Sequence, residues 1–258
     1  MGTSAGPSAN SPSSGTFDTF VWDDHAGVLF DLDGVITPTA TIHEQAWAAL
    51  FADFDYTTAD YIASIDGRPR YDGVRTFLTS RGIELPNGDP NDPPGDATIS
   101  ALGNRKNELF NQLLDQRGVA PYPGSLATLE LLDRLGVPAA IVSSSKNAST
   151  VLRSAGLADR FDVIVDGVVA ADEALPGKPA PDAFLLGASR LGVDPARTVV
   201  VEDAVSGVAA GAAGGFAVVI GVDRGAGPAA LLEHGATFVV DDLDRLLPDA
   251  AGLDGSAT

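Results

Sequence analysis

Four groups of polar residues could do chemistry in this 258-residue chain, and each follows a short apolar run or a Gly-Pro turn. "GVLFDLDG" (27–34) delivers Asp31 and Asp33 around one leucine, and "AAIVSSSKN" (139–147) delivers Ser143, Ser145, Lys146 and Asn147. "LPGKPAPDAF" (175–184) frames Lys178 between glycine and proline, and "TVVVED" (198–203) ends in Glu202 and Asp203. Carboxylates at the end of a buried run are costly to desolvate unless paired or bound to a metal. Several together suit a hard divalent cation such as Mg²⁺, which takes oxygen ligands and keeps some of its water. A lysine, a serine at a strand end and amides at a helix start suit a phosphate. A remaining aspartate can act as a nucleophile through an aspartyl-phosphate. Together the four groups point to metal-assisted phosphoryl transfer.

Strands must carry these groups to one place. Six runs read as strands: 27–32, 139–143, 161–166, 198–203, 216–221 and 237–240. Most are apolar throughout, not alternating, so they are expected in a parallel sheet covered on both faces. Strands separated by helix-like segments give a doubly wound α/β fold, in which ligands sit beyond the carboxyl ends of the strands. That is where the four polar groups fall. Between Asp33 and about residue 122 the rhythm breaks. Helical patterns occupy 42–54, 71–82 and 99–118 instead, the last with Gly118 as its C-cap. The expected domains are a core of 21–38 and 120–258, an all-α insertion over 39–119 and a disordered polar tail over 1–20. The stretch 85–98, "LPNGDPNDPPGDAT", reads as a surface loop. Its prolines and spacing do not fit a calcium-binding EF-hand.

Composition narrows the partners. A formal charge of −19 argues against binding to a nucleic-acid backbone. The absence of cysteine excludes disulfides, thiolate nucleophiles and Cys-built zinc sites. No apolar run approaches the roughly 20 residues that span a bilayer, and the N-terminus lacks a secretory h-region. The reading is a cytoplasmic monomer acting on a small molecule. Other site patterns fail: "GKP" lacks the rest of a P-loop, "GAGPAA" (225–230) is a partial dinucleotide fingerprint far from the first strand, and there is no G-x-S-x-G elbow.

On these residues the chain resembles the haloacid dehalogenase superfamily, and within it the β-phosphoglucomutase-like group with an α-helical cap, over roughly residues 26 to 245. "DLDGV" matches its D-x-D-G-[VT] signature, and "VSSSKN", "GKPAPD" and "VVEDAVSGVAAG" its three later motifs. The resemblance implies a Rossmann-like core, with Asp31 as nucleophile and Asp33 as general acid/base. It implies that Ser143 and Lys178 hold the transferring phosphate. Mg²⁺ would be held by Asp31, Asp203 and the main-chain carbonyl of Asp33, with Glu202 beside it. For the substrate it implies Thr39, His43 and Trp47 from "TPTATIHEQAW", Arg70 (with Arg68 as rival) from "GRPRYDG", and Lys106 and Asn107 from "NRKNELF". Ser145, Lys146 and Asn147 would contact it from the core side. The implied activity is that of a β-phosphoglucomutase on a sugar phosphate. A phosphatase on a sugar phosphate or a related small ester is the alternative, and a non-catalytic binding protein would require lost motifs, which are not seen.

Overall fold

The computed structural model describes residues 19–66 and 68–248. The expected tail lies outside the described residues as far as residue 18. Phe20 packs edge-on against Trp22 and Phe238, so the chain is anchored to the core there.

All six expected strands form, and among the described residues they make one parallel sheet. They are β1 (Gly27–Phe30), β2 (Ala139–Val142), β3 (Ile164–Val165), β4 (Thr198–Glu202), β5 (Val218–Val222) and β6 (Phe238–Val240). The order is β3-β2-β1-β4-β5-β6. The chain runs outward from β1 to β3, then returns to the other side of β1 for β4, which places the switch point between β1 and β4. Alternate residues explain why the runs are apolar throughout. Val28, Phe30, Val199 and Val201 enter one buried cluster, while Leu29 and Val200 enter another on the opposite face. β3 is shorter than expected, two residues at a sheet edge, where only one neighbour supplies a ladder.

The insertion holds α1 (Thr39–Leu50), α2 (Thr58–Ser64), α3 (Arg70–Ser80) and α4 (Ile99–Arg117). The segment expected as one helix over 42–54 starts earlier, at Thr39, and ends in a separate 3₁₀ turn, Ala52–Phe54. α2 lies in a stretch with no expected element; Thr57 and Asp60 form a capping box that starts it. Trp47, Phe51, Phe77 and Leu102 give the insertion its own apolar cluster. Ile42, Ala46, Phe110 and Leu114 instead join the cluster of the sheet, so α1 and α4 root the insertion in the core. The 85–98 loop is pinned from α4, where Asn104 Nδ2 donates to the carbonyls of Pro90 and Asp92. The Asp92 carboxylate accepts from Asp89 N and Thr98 Oγ1, which engages it within the loop.

After the insertion come α5 (Pro123–Leu135), α6 (Ala148–Ser154), α7 (Gly167–Asp172), α8 (Asp182–Leu191), α9 (Val205–Ala213) and α10 (Pro228–Glu233). Among the described residues, no helix is long and apolar enough to cross a membrane.

Candidate active site

The carboxyl ends of β2, β1 and β4 are adjacent, so Ser143, Asp31 and Glu202–Asp203 meet over the middle of the sheet. Lys178, from the turn before α8, reaches in beneath them. Its Nζ donates to Asp31 Oδ1 at 2.6 Å, to Glu202 Oε1 at 2.5 Å and to the Val142 carbonyl at 3.2 Å. Glu202 Oε2 accepts the amides of Asp203 and Ala204, both at 3.0 Å, so both of its oxygens are committed. Asp31 Oδ2 accepts the Asp33 amide at 2.8 Å. Two glycines allow this packing. A Cβ at Gly207 would sit 1.7 Å from Glu202 Oε1, and one at Gly34 would sit 1.9 Å from Asp203 Oδ2; Gly34 also has φ +96°.

Negative charge dominates this wall. Burial works against the Lys178 charge, but Asp31 and Glu202 outweigh it and raise its pKa. One ammonium does not satisfy all the acids. Burial pushes Asp31 up to about 8 against the pull of Lys178, with Glu202 and Asp33 adding to the rise. Burial also raises Asp203 well above the carboxylate range, helped by Asp66, Glu202 and Asp31. Excess negative charge carried on oxygen donors fits a hard divalent cation. Among the described residues no three carboxylate or histidine side chains cluster as ligands. Asp31 and Asp203 on this wall are oxygen donors of the kind such a cation takes.

Asp33 faces the other way. Its Oδ1 accepts from Thr39 Oγ1 at 2.5 Å and lies 3.4 Å from His43 Nε2, and Ser143 Oγ donates to its Oδ2 at 3.4 Å. His43 outweighs burial and lowers the Asp33 pKa, with Thr39 and Lys106 assisting. The insertion supplies the opposite charge. Lys106, buried, meets His43 Nδ1 and lies 5.1 Å from the ring centroids of Trp47 and Phe110. Burial drives its pKa well below that of a free lysine, and Arg70 adds to the effect. Burial and Lys106 lower His43 in the same way. Arg70 Nη2 donates to Asn107 Oδ1 at 2.7 Å, and Asn147 Nδ2 from the core donates to the same oxygen at 2.6 Å.

One cleft is lined by Asp31, Asp33, Glu202 and Asp203 on one side and His43, Trp47, Arg70 and Lys106 on the other, with Ser143, Ser145 and Lys146 at its edge. Thr39, Asn107, Asn147 and Lys178 stand directly behind that lining, each bonded to it or to its backing as described. Arg68, the rival of Arg70, also lines the cleft but is exposed. Tyr61, in the middle of α2, and Asp66, just beyond its end, line the same cleft and lie outside every motif named above. The only sequence signal near them is the Thr57–Asp60 capping box.

The chain is similar to known proteins in both sequence and fold. Residues 25–215 match the family described as haloacid dehalogenase-like hydrolase. Over 238 residues the chain is 48% identical to the β-phosphoglucomutase of Mycobacterium bovis, which covers 85% of this chain and 90% of that protein. It is 32% identical over 195 residues to hexitol phosphatase A of Escherichia coli, covering 75% of this chain and 81% of that one. The crystal structure of the β-phosphoglucomutase from Clostridium difficile superimposes with a TM-score of 0.71 at 28% identity, covering 86% of this chain and 93% of that chain.

Proposed function

The chain belongs to the haloacid dehalogenase-like hydrolase family, and on that premise we propose that it is a β-phosphoglucomutase, converting β-glucose 1-phosphate to glucose 6-phosphate through the 1,6-bisphosphate. The observation that carries this reading is a cleft with a buried lysine at each wall, Lys178 directly behind the core lining and Lys106 within the insertion lining beside Arg70. A phosphatase acting on one phosphate needs a single anion site. A bisphosphate that must return in the opposite orientation needs two.

In the proposed reaction an Asp31 carboxylate oxygen attacks phosphorus, and the bond from phosphorus to the sugar oxygen breaks. Mg²⁺, when bound, would be held by Asp31, Asp203 and the Asp33 carbonyl, and would neutralise charge on the phosphoryl group. Lys178 and Ser143 position that group. Asp33, ionised while Thr39 and His43 hold it, takes up a proton when the substrate draws it away from them. It gives that proton to the leaving oxygen, then takes one from the sugar hydroxyl that attacks next. Arg70 and Lys106 hold the other phosphate, and the insertion acts as a cap that excludes water. Thr39 and His43 hold the Asp33 carboxylate off the nucleophile until a substrate draws it inward.

One reaction tests this. With β-glucose 1-phosphate, a trace of the bisphosphate and Mg²⁺, glucose 6-phosphate should form at least about tenfold faster than inorganic phosphate. That ratio corresponds to roughly 1.4 kcal/mol of preference for a sugar hydroxyl over water. Phosphate release equal to isomerisation would make the protein a sugar phosphatase.

A further inference from the structure

Arg224 lies in neither wall of the cleft, yet every arm of its guanidinium is committed. It lies two residues after the end of β5. Its Nε donates to the Gly34 carbonyl at 3.0 Å, Nη1 to the Asp241 carbonyl at 2.9 Å and Nη2 to Asp242 Oδ2 at 3.0 Å. The guanidinium carbon stands 3.9 Å from the centroid of the Tyr122 ring. A planar fork that bonds three acceptors and stacks on a ring is a task for which lysine is no substitute.

These partners are not scattered. Gly34 begins the chain segment that leads from β1 into the insertion, and Tyr122 ends the segment that leads back out of it. The two segments are joined to each other, since the Tyr122 amide donates to the Ile36 carbonyl at 2.9 Å. Asp241 and Asp242 follow β6 and belong to the core alone. Asp242 also abuts the first turn of α5, where a Cβ at Gly124 would sit 1.8 Å from its Oδ1. Gly34 is confined on its other side as well, by Asp203. The main chain next to Asp33 is therefore held between Arg224 and Asp203.

We infer that Arg224 is a positioning residue, a clasp that ties both connections of the insertion to the core and so keeps Asp33 aligned for proton transfer. The inference rests on the reaction proposed above. Its consequence is selective. A displacement of about 1 Å at a reacting group can cost on the order of a hundredfold in rate. Only the steps that use Asp33 as an acid or base should feel it.

Two phosphoryl donors separate those steps in the full-length protein with Mg²⁺. With glucose 1,6-bisphosphate, Asp31 attacks phosphorus and the leaving sugar oxygen takes the Asp33 proton. With acetyl phosphate the same bond to phosphorus forms, and acetate leaves without needing a proton. We expect Arg224→Lys to slow phosphorylation by the bisphosphate at least about tenfold, with acetyl phosphate and the KM for the bisphosphate unchanged within about twofold. Asp33→Asn should show the same selectivity more strongly, and Tyr122→Phe, which keeps the ring, should match the wild type. Arg224→Met provides a second variant without a charge, and it should repeat the selective loss. Equal slowing with both donors would mean a merely structural arginine, and no slowing with either would mean no role; each overturns the inference alone. A wild-type protein phosphorylated by neither donor overturns the proposed reaction, and the role of Arg224 with it.

Discussion

The two walls of the cleft solve opposite electrostatic problems. On the core wall one lysine pairs with two carboxylates, Asp31 and Glu202, with Asp203 beside them, and burial pushes Asp31 and Asp203 up. On the insertion wall Lys106 and His43 sit on aromatic rings with Arg70 nearby, and burial pushes all three down. Each wall is strained alone and complements the other's ligand: a divalent cation relieves the first, a phosphate the second. The core wall is also internally bonded, with Lys178 closing two ion pairs. Lys106 has no carboxylate within ion-pair distance among the described residues. Under the proposed function the core does the chemistry and the insertion decides what reaches it.

The largest break in that contrast is Asp31→Asn. It should abolish turnover, by more than about a thousandfold, with circular dichroism unchanged. Beryllofluoride binding to Asp31 should vanish with it. Retained turnover of a few percent would place the nucleophile elsewhere. On the opposite wall, Arg70→Ala should weaken use of the bisphosphate by roughly 30- to 1000-fold, as expected for a desolvated arginine–phosphate contact. Arg68→Ala, on an exposed side chain, should change it by less than about threefold. If kcat/KM falls further for Arg68→Ala, the distal phosphate sits at the mouth of the cleft.

The same substitution on the two lysines sharpens the comparison. Lys178→Met leaves Asp31 and Glu202 buried without their common partner. It should lower folding stability by about 3 kcal/mol, within the range for breaking a buried pair. Lys106→Met removes a buried cation that no carboxylate balances, so stability should hold or rise by up to about 1 kcal/mol while the KM for the sugar phosphate increases. Denaturation midpoints at pH 7 decide it. A loss of stability in Lys106→Met equal to that in Lys178→Met would erase the difference between the walls.

Much of this was legible in the sequence because it depends on local pattern. Runs apolar throughout, such as 199–201, announce strands covered on both sides, and polar residues at their ends mark the site. Lys178 is readable because glycine and prolines frame it. α2 is not, since its seven residues mix polar and apolar types over fewer than two turns and show little periodicity. Tyr61 and Asp66 were lost with it. Arg224 is illegible for another reason: its partner Gly34 is 190 positions away, and no spacing in a sequence reports such a meeting. The start of α1 shifted because Pro38 holds φ −76° and leads into the helix at Thr39, earlier than the apolar pattern begins.

Metal binding should carry the charge imbalance of the core wall in its pH dependence. Asp31 has a folded pKa above its unfolded value, so the folded protein holds a proton that the unfolded chain releases. Without metal, stability should fall as pH rises from about 4 towards about 8. A cation that takes the ionised carboxylate must displace that proton, so its affinity should rise up to about tenfold per pH unit below the Asp31 pKa. The Mg²⁺-induced shift in Tm should therefore be larger at pH 8 than at pH 5.5. A shift independent of pH would show that Asp31 is already ionised before the metal arrives.

The smallest effect tests where the walls touch. Asn107 Oδ1 accepts from Arg70 on its own wall and from Asn147 on the core, so one amide oxygen links the arginine proposed to grip the distal phosphate to the β2 loop. Asn147 is itself held, its amide donating to Ser145 Oγ, while the Ser145 amide donates to Ser143 Oγ. The chain of bonds thus runs from the phosphate end of the core to the phosphate end of the insertion. Asn147→Ala removes one neutral hydrogen bond from it, which contributes about 0.5–1.5 kcal/mol. That bond exists only when the walls are together, so its loss should tax closure, raising the KM for β-glucose 1-phosphate by roughly 2- to 10-fold. Phosphorylation by acetyl phosphate, which offers the insertion nothing to grip, should be unchanged. A fall in kcat with KM constant would instead mean that Asn147 acts on the chemistry, and that the division of labour between the two walls is less clean than their charges make it.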